Sequence, residues 1–582
     1  MKLQALIQYG FFLLLLTLLV KPLGGYMTRV FQGQRTFLDP LLRPIESLLY
    51  RVARVNERQE MDWKQYAVSF VFFGFCGTLL LYGILRVQRF LPWFYPAYQT
   101  TPLAPDLSMN TAISFSTTTT WQAYGGETTM SYFSQMIGLT AQNFLAGAAG
   151  LAVGVAFIRG FARQKTDRLG NFWVDLVRAL LWVLLPLALA GALVLVWQGV
   201  PMNFHPYTQV TTIEGGTQTI AQGPVAALEI IKNLGTNGGG FFNANGAHPY
   251  ENPTPLTNLI ALLAIAALPA ALTNTFGRMI GNQRQGWTLY AVMTALFVIG
   301  LLVCGWSEQK SNHILEWHAH LQSTSTTNQA GGNMEGKEVR FGITQSVLTA
   351  VVTSNGATGS YNSMHDSYTP LGGVVPLVNI LLGEIVYGGL GTGLYSIILI
   401  ALLGLLLAGL MVGRTPEYLG KTIGPPEAKM LTLYVLASPL AILPLTALAV
   451  ATRAGLAGLA TNNGSHGLTE IIFAFASSVA NNGQSFAGLT ANTPFYNLTT
   501  AVAMMVGRFG LAIPALALAG LFAAQPRRFG GEGAIRTDTV TFGALLLATA
   551  LVVCGLSYFP ALTLGPVLEH LAGFPSLACS GS

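Results

Sequence analysis

Charge is what this sequence has least of. Asp, Glu, Lys and Arg make up 9% of its 582 residues, against roughly 25% in a typical soluble domain. With 52% hydrophobic residues there is too much apolar surface for a water-soluble core, and several uncharged runs reach the ~20 residues that cross a bilayer. Cysteine is scarce too. Cys76, Cys304, Cys554 and Cys579 show no CxxC spacing, and three of them lie in apolar runs, where a thiol is a small buried hydrophobe. Neither a disulfide framework nor a cysteine metal site is expected. The chain also lacks a GxxxxGK[ST] phosphate loop and an Asp-Lys-Thr-Gly phosphorylation loop. With no sizeable soluble stretch to hold a nucleotide, it is not expected to hydrolyse ATP by itself.

What is present is a series of spans. Hydropathy predicts ten, at about 3–21, 66–90, 132–158, 173–198, 257–277, 286–306, 375–412, 429–452, 498–524 and 540–566. The first resembles a signal peptide, but no small-x-small cleavage site follows, so a retained span is expected. The seventh is overlong and carries Gly383, Gly388, Gly389, Gly391 and Gly393, a pattern read as a break in a helix that lines a cavity. Without a βαβ context, those glycines are no nucleotide loop.

The net charge of +6 does not call for nucleic acid, because the basic residues are sorted by loop. Those between spans 1 and 2, 3 and 4, 5 and 6, 7 and 8, and 9 and 10 hold 21 of the 30 Lys and Arg. The positive-inside rule makes that face cytoplasmic and puts both termini outside.

The opposite loops hold short apolar stretches, Pro224–Leu234, Phe341–Thr353 and Leu468–Ala480, too short to span and read as re-entrant half-helices. Each leads into a turn rich in Asn, Thr and Gly. The turns are Thr117–Gln122, Thr236–Gly240, Thr353–Gly359 and Ala480–Gly483, each followed closely by an aromatic residue: Tyr124, Phe241, Tyr361 and Phe486. With Gln122, Gly238, Gly359 and Gly483 taken as equivalent, the period is near 120 residues, which implies a fourfold internal repeat. The fold expected is all-α and membrane-integral: membrane–pore–membrane repeats at 66–158, 173–277, 286–412 and 429–524, flanked by a first span with a basic loop (1–65) and a last span (540–582). Four extended turns can surround a dehydrated K⁺ with backbone carbonyls, and glycine lets carbonyls turn to an axis. Gln122, where the other turns have glycine, is expected to offer a side-chain group near that axis.

Segments along the whole chain resemble the potassium-binding subunit family of the Kdp potassium-transporting ATPase: LGTNGGGFFNAN (234–245), HPYENPT (248–254), NMEGKEVRFG (333–342), MHDSYTPLGG (364–373), GRTPEYLGK (413–421) and VGRFG (506–510). The resemblance implies a bacterial inner-membrane subunit that captures external K⁺. It would pass the ion through an intramembrane tunnel to a separate P-type ATPase subunit, beside a small single-span subunit and a very small accessory subunit. It implies a K⁺ filter made by Thr118, Thr119, Thr120 and Gln122; Thr236, Asn237 and Gly238; Ala357, Thr358 and Gly359; and Asn481, Asn482 and Gly483. Thr118 and Thr120 stand where the family pattern has Asn, and Ala357-Thr358 where it has Ser-Cys. K⁺ is the only metal implied, with no nucleotide or nucleic acid. A stand-alone K⁺ channel or a Trk/Ktr-type transporter is the alternative, since fold alone does not separate them.

Ionisable residues inside a membrane face a partner or a water-filled path. Glu384 and Arg508 are therefore expected behind the filter, pairing with each other or steering the ion, with Gly389 at the helix break. Arg414, at a cytoplasmic helix end, is a gating candidate that could equally snorkel. His313, His318 and His320 have no carboxylate spacing for zinc. His365-Asp366 is expected to tie down its loop, and the Asn497-Leu498-Thr499 sequon carries little meaning in such a protein.

Overall fold

The computed structural model describes residues 2–310, 312, 316, 331–527 and 536–572; His313, His318, His320, Arg528 and Cys579 lie outside them. Among the described residues, ten helices are long and apolar enough to cross a membrane: Leu3–Phe31, Trp63–Phe90, Ser134–Ala162, Phe172–Trp197, Pro255–Met279, Gln283–Glu308, Thr392–Val412, Pro425–Ala451, Pro494–Ala524 and Val540–Ala572. Between the second and ninth, four short helices interrupt the pattern at Pro105–Ser116, Val225–Leu234, Gly342–Asn355 and Gly464–Val479. These are the pore helices of four span–pore helix–span units. The chain is an all-α, multi-pass membrane protein, with three two-stranded ladders confined to its loops.

Within every unit the two spans differ. The span after the pore helix has 89, 78, 61 and 67% of its apolar window buried across the four units, and the span before it 22, 33, 56 and 22%. The following spans therefore form the inner wall and the preceding ones the rim. Small residues make the close inner packing possible, as at a membrane helix crossing. A Cβ on Gly154, in the third span, would come within 2.5 Å of the Gly391 Cα.

Several boundaries differ from the hydropathy reading. The first span runs ten residues beyond Lys21, because Pro22 is accommodated inside the helix and Met27, Val30 and Phe31 continue its buried face. The basic loop after it contains an unexpected helix, Asp39–Val52, which buries Leu42, Glu46 and Tyr50 and exposes Leu41, Leu48 and Val52. Pro40 sits in its first turn, where no hydrogen bond is lost. The first pore helix has no apolar run to mark it, because Ser108, Asn110, Thr111, Ser114 and Ser116 are buried in it among Leu107, Ala112, Ile113 and Phe115. The overlong seventh span is two helices, Pro370–Leu381 and Thr392–Val412, separated by a non-helical stretch. Thr369 caps the first of these by accepting from Gly372 N–H.

Candidate ion site

Each pore helix ends in the same way. Two residues beyond its last helical residue, the chain enters the left-handed region, at Thr118 (φ 66°), Thr236 (48°), Ala357 (49°) and Asn481 (53°). A left-handed residue after a helix is the usual way to reverse direction there, but glycine normally supplies it. Holding non-glycine residues in this conformation costs roughly 1–2 kcal/mol each, and such strain concentrates at functional sites. The four positions are spaced 118, 121 and 124 residues apart. They align Thr120 with Gly238, Gly359 and Gly483, two residues before Gln122, the position that spacing alone had suggested.

The four turns meet. Gly359 N–H donates to the Asn237 carbonyl at 2.8 Å, and Gly238 pairs with Gly359 as a parallel bridge. A Cβ on Gly238 would lie 2.4 Å from Gly359 N and 2.8 Å from Thr120 Oγ1. One on Gly359 would lie 2.9 Å from the Gly483 carbonyl carbon, and one on Gly483 would strike the Thr119 carbonyl oxygen. The turns thus close a ring in the order 1–2–3–4–1, through the Thr120 hydroxyl between the first and second and through backbone elsewhere, with no room for side chains at the glycine positions.

The remaining side chains of the turns point into bracing bonds. Asn482 Nδ2 donates to the Thr353 and Ser354 carbonyls (3.2 and 3.3 Å), and Asn481 Nδ2 to Thr119 Oγ1 and the Met504 carbonyl (2.9 Å each). With its amide oriented to donate, Asn237 reaches the Gly235 and Asn143 carbonyls at 3.1 Å. Thr236 Oγ1 accepts from Leu390 N–H at 2.9 Å, which ties the second turn to the break in the seventh span. Thr358 Oγ1 donates to the Gly356 carbonyl at 2.9 Å. Gln122 is likewise committed. Its Oε1 accepts from Gly240 N–H at 2.9 Å and its Nε2 donates to the Gly240 carbonyl and Tyr124 Oη at 3.1 Å. It holds the second turn rather than offering a free group to the axis. What the ring can present to an ion is therefore chiefly backbone carbonyl oxygen, the donor type that suits a dehydrated K⁺.

A recess lies on each side of the ring. One is lined by Thr120, Gln122, Gly239, Gly359, Tyr361 and Gly483. The other, about 70 Å³, is lined by Ala480, Asn481, Glu384, Thr392, Tyr395 and Arg508. Arg508 sits in a π-helical turn, Val506–Gly510, a distortion frequent at functional sites. It donates to Thr118 Oγ1 (3.1 Å) and the Ala146 carbonyl (2.8 Å). Glu384, with φ 60°, is buried. The two line one cavity, yet among the described residues no ion pair joins them, so the direct pairing expected from sequence is not formed. Gly389 packs against Ala357, whose Cβ would lie 3.3 Å from a Cβ placed on it. Arg414 is exposed beyond the end of Thr392–Val412 and lines neither recess.

The family described as potassium-transporting ATPase A subunits, KdpA, matches residues 10–571. This chain is a member of that family. A potassium-transporting ATPase potassium-binding subunit of Methylobacterium nodulans is 55% identical, with 95% of each chain covered. Its counterparts in Methylorubrum extorquens and Bradyrhizobium diazoefficiens are each 53% identical, covering 98% of both chains in the first case and 97% of this chain and 98% of the relative in the second. Among solved structures, the potassium transporter TrkH of Vibrio parahaemolyticus overlays with a TM-score of 0.49 and 14% identity, covering 88% of this chain and 97% of that one.

Two buried charge clusters near the ring were not singled out as sites in the sequence, although each reaches into a family-like segment, through Glu251 in one case and Lys337 in the other. Lys232, on the second pore helix and fully buried, pairs with Glu229 (2.6 Å) and Glu251 (2.7 Å) and donates to Asn245 Oδ1 (2.7 Å). Asn245 Nδ2 in turn donates to the Gly359 carbonyl at 3.2 Å, and Glu251 accepts from Phe242 N–H at 2.8 Å. A chain of bonds thus runs from a pore helix in one unit to a ring residue in the next. Lys337 pairs with Glu308 at 2.7 Å, and Glu308 accepts from Thr369 N–H (2.8 Å) and Oγ1 (2.6 Å) at the start of the broken span. A lysine followed by an acidic residue is common in any sequence, so only the fold reveals these as closed networks. Of the pair His365-Asp366, Asp366 fastens the loop: its N–H donates to the Phe486 carbonyl at 2.9 Å, beyond the fourth turn, whereas the buried His365 ring nitrogens make no hydrogen bond among the described residues. Asn497, of the formal sequon, is buried.

Proposed function

We propose that this chain is the potassium-binding, ion-conducting subunit of an ATP-driven K⁺ uptake complex. The observation that carries the reading is the ring of four equivalent left-handed turns, one at the end of each pore helix, which offers chiefly backbone carbonyl oxygen to the axis. In this reading Thr118–Thr120, Thr236–Gly238, Ala357–Gly359 and Asn481–Gly483 form the filter, and Gln122 braces it. The pore helices also aim their negative C-terminal ends at the ring, which favours a cation. External K⁺ enters from the recess beside Gln122 and Tyr361, and the cavity of Glu384 and Arg508 receives it. The helix break at 382–391 forms a wall of that cavity, so the ion leaves sideways through the membrane toward a P-type ATPase subunit. That ATPase subunit carries the ATP chemistry; this chain is not catalytic. A small single-span subunit and a very small accessory subunit complete the assembly in a bacterial inner membrane, with both termini external.

The test is purification from the native membrane followed by ⁸⁶Rb⁺ binding. The expected result is co-purification with an ATPase chain and Rb⁺ binding displaced by K⁺ but not by Na⁺. Isolation only as a homodimer with a cytosolic nucleotide-binding ring would favour the Trk/Ktr-type alternative, and absence of displaceable Rb⁺ binding would refute the filter.

A further inference from the structure

On the face opposite the basic loops, four side chains from three separate parts of the chain converge. His466 is near the start of the fourth pore helix, and its Nε2 lies 2.7 Å from Asp366 Oδ1 and 3.9 Å from Glu470 Oε1. Its Nδ1 lies 2.8 Å from Glu569 Oε1, at the end of the last span. Asn462 Nδ2 bridges the two carboxylates on the Nε2 side, at 3.1 Å from Asp366 Oδ2 and 2.9 Å from Glu470 Oε1. Donor atoms from Asp366, His466 and Glu470 all lie within 4.8 Å of one another.

Two features point beyond a closed hydrogen-bond cluster. First, three carboxylates surround one imidazole, and among the described residues no Lys or Arg pairs with any of them. A protonated His466 offsets one of the three charges at most, which leaves a surplus of negative charge that a bound cation would balance. Second, the Glu470 side chain is fully buried, and its Oε2 has no hydrogen-bond partner in the cluster. An unsatisfied buried carboxylate oxygen is costly, and the other oxygen of the same carboxyl, Oε1, lies 3.9 Å from His466 Nε2.

The arrangement also matches the second sphere of a metal site. A ligating histidine characteristically gives its other ring N–H to a carboxylate, which fixes the tautomer and raises ligand basicity. Glu569 stands in that place on Nδ1, leaving Nε2 directed at Asp366 and Glu470. An imidazole nitrogen with two carboxylates suits a borderline divalent transition metal and not K⁺, Mg²⁺ or Ca²⁺, which prefer oxygen alone. We propose that Asp366, His466 and Glu470, with Glu569 behind the imidazole, form a binding site for a divalent transition-metal ion such as Zn²⁺. A bound ion would clamp the loop after the third turn to the fourth pore helix. Asp366 already holds the backbone of Phe486, three residues past Gly483, so the clamp would stiffen the rim of the ring. The site is independent of the filter assignment. Sequence scanning could not find it, because Asp366 and His466 are a hundred residues apart.

The test is titration of the full-length chain, purified metal-free in detergent, with Zn²⁺ alone by calorimetry. His466→Gln and Glu470→Gln are compared after both are shown to be monodisperse, with Glu569→Gln as the variant of the supporting carboxylate. Expected are one saturable Zn²⁺ site, a loss of affinity of at least ~100-fold in whichever of the two ligand variants folds, and a loss of about 10–100-fold in Glu569→Gln. Absence of saturable Zn²⁺ binding to the parent chain, or affinity unchanged in the ligand variants, overturns the proposal. Unchanged affinity would mean that bound Zn²⁺ sits elsewhere.

Discussion

Replacing Gly238 with alanine is the sharpest perturbation of the proposed filter. Gly238 has φ 146°, a conformation that an L residue rarely adopts. An added methyl would meet Gly359 N at 2.4 Å, Gly359 Cα at 2.5 Å and Thr120 Oγ1 at 2.8 Å. Favourable carbon contacts lie near 3.5–4.0 Å, so the overlap is about 1 Å and two of the three atoms struck are backbone. The conformational cost is roughly 1–2 kcal/mol, and relieving the overlap adds typically ~1–3 kcal/mol. If as little as ~1.4 kcal/mol of this falls on the ion-bound form, affinity drops about tenfold. The expected outcome is therefore at least a tenfold rise in the K⁺ concentration that half-saturates transport by the reconstituted complex. Gly199→Ala is the matched control, because Gly199 also has a left-handed φ (97°) but nothing lies within 4 Å of its would-be Cβ. It should lose a little stability and no K⁺ affinity. A Gly238→Ala protein within twofold of the parent would refute the assignment of the second turn to the filter.

Other perturbations follow from the same contacts. Gln122→Leu removes two bonds to Gly240, each worth about 0.5–1.5 kcal/mol, and should raise half-saturating K⁺ several-fold to tenfold; unchanged ⁸⁶Rb⁺ binding would remove Gln122 from the bracing role. Arg508→Gln loses charged bonds to Thr118 and Ala146, worth ~1.5–3 kcal/mol each, and should cut transport about tenfold or more, with parental flux counting against a role behind the ring. Lys232→Met leaves Glu229 and Glu251 buried without their cation, which costs ~3–5 kcal/mol; the thermal midpoint in detergent should fall clearly, and an unshifted midpoint would mean the triad contributes no net stability. Burial alone would lower His466, but its hydrogen bonds to the carboxylates of Asp366 and Glu569, and their charges, push it up to about 10 from its ordinary 6.5. Because the folded value is the higher one, the stabilisation is fully present below about 6.5 and is lost as pH rises through about 10. In chelator-treated protein the midpoint should decline over that window, and more steeply than in His466→Gln; parallel curves would rule out the imidazolium.

The aromatic residues after each turn and the run of multi-residue family segments carry information that survives any change of register. Ten spans, the cytoplasmic-type sorting of Lys and Arg, and a fourfold period near 120 residues all follow from local composition, since hydropathy and turn chemistry act over a few residues at a time. The short apolar stretches before three of the turns belong to the same class, and the structure makes them pore helices with boundaries within a few residues. Pro105–Ser116 forms no apolar run because buried Ser, Asn and Thr interrupt its Leu, Ala, Ile and Phe, and burial in a protein interior is not a property of twelve residues alone. The exact register also needed the backbone. Spacing aligned Gln122 with the glycines, whereas the left-handed positions align Thr120, because equivalence is set by distance from the end of each pore helix.

Only the tertiary structure decided which spans are inner and which form the rim, because the two kinds have similar hydropathy and differ in what packs on them. It likewise decided that Asn and Thr side chains brace the turns, that Glu384 and Arg508 share a cavity without pairing, and that Lys232 reaches a neighbouring unit through Asn245. Most of those outcomes depend on contacts between residues far apart in the sequence, many of them more than a hundred positions. The scarcity of charge that marks the chain as a membrane protein is thus a local property, readable at once. Where its few charges meet is a property of the fold.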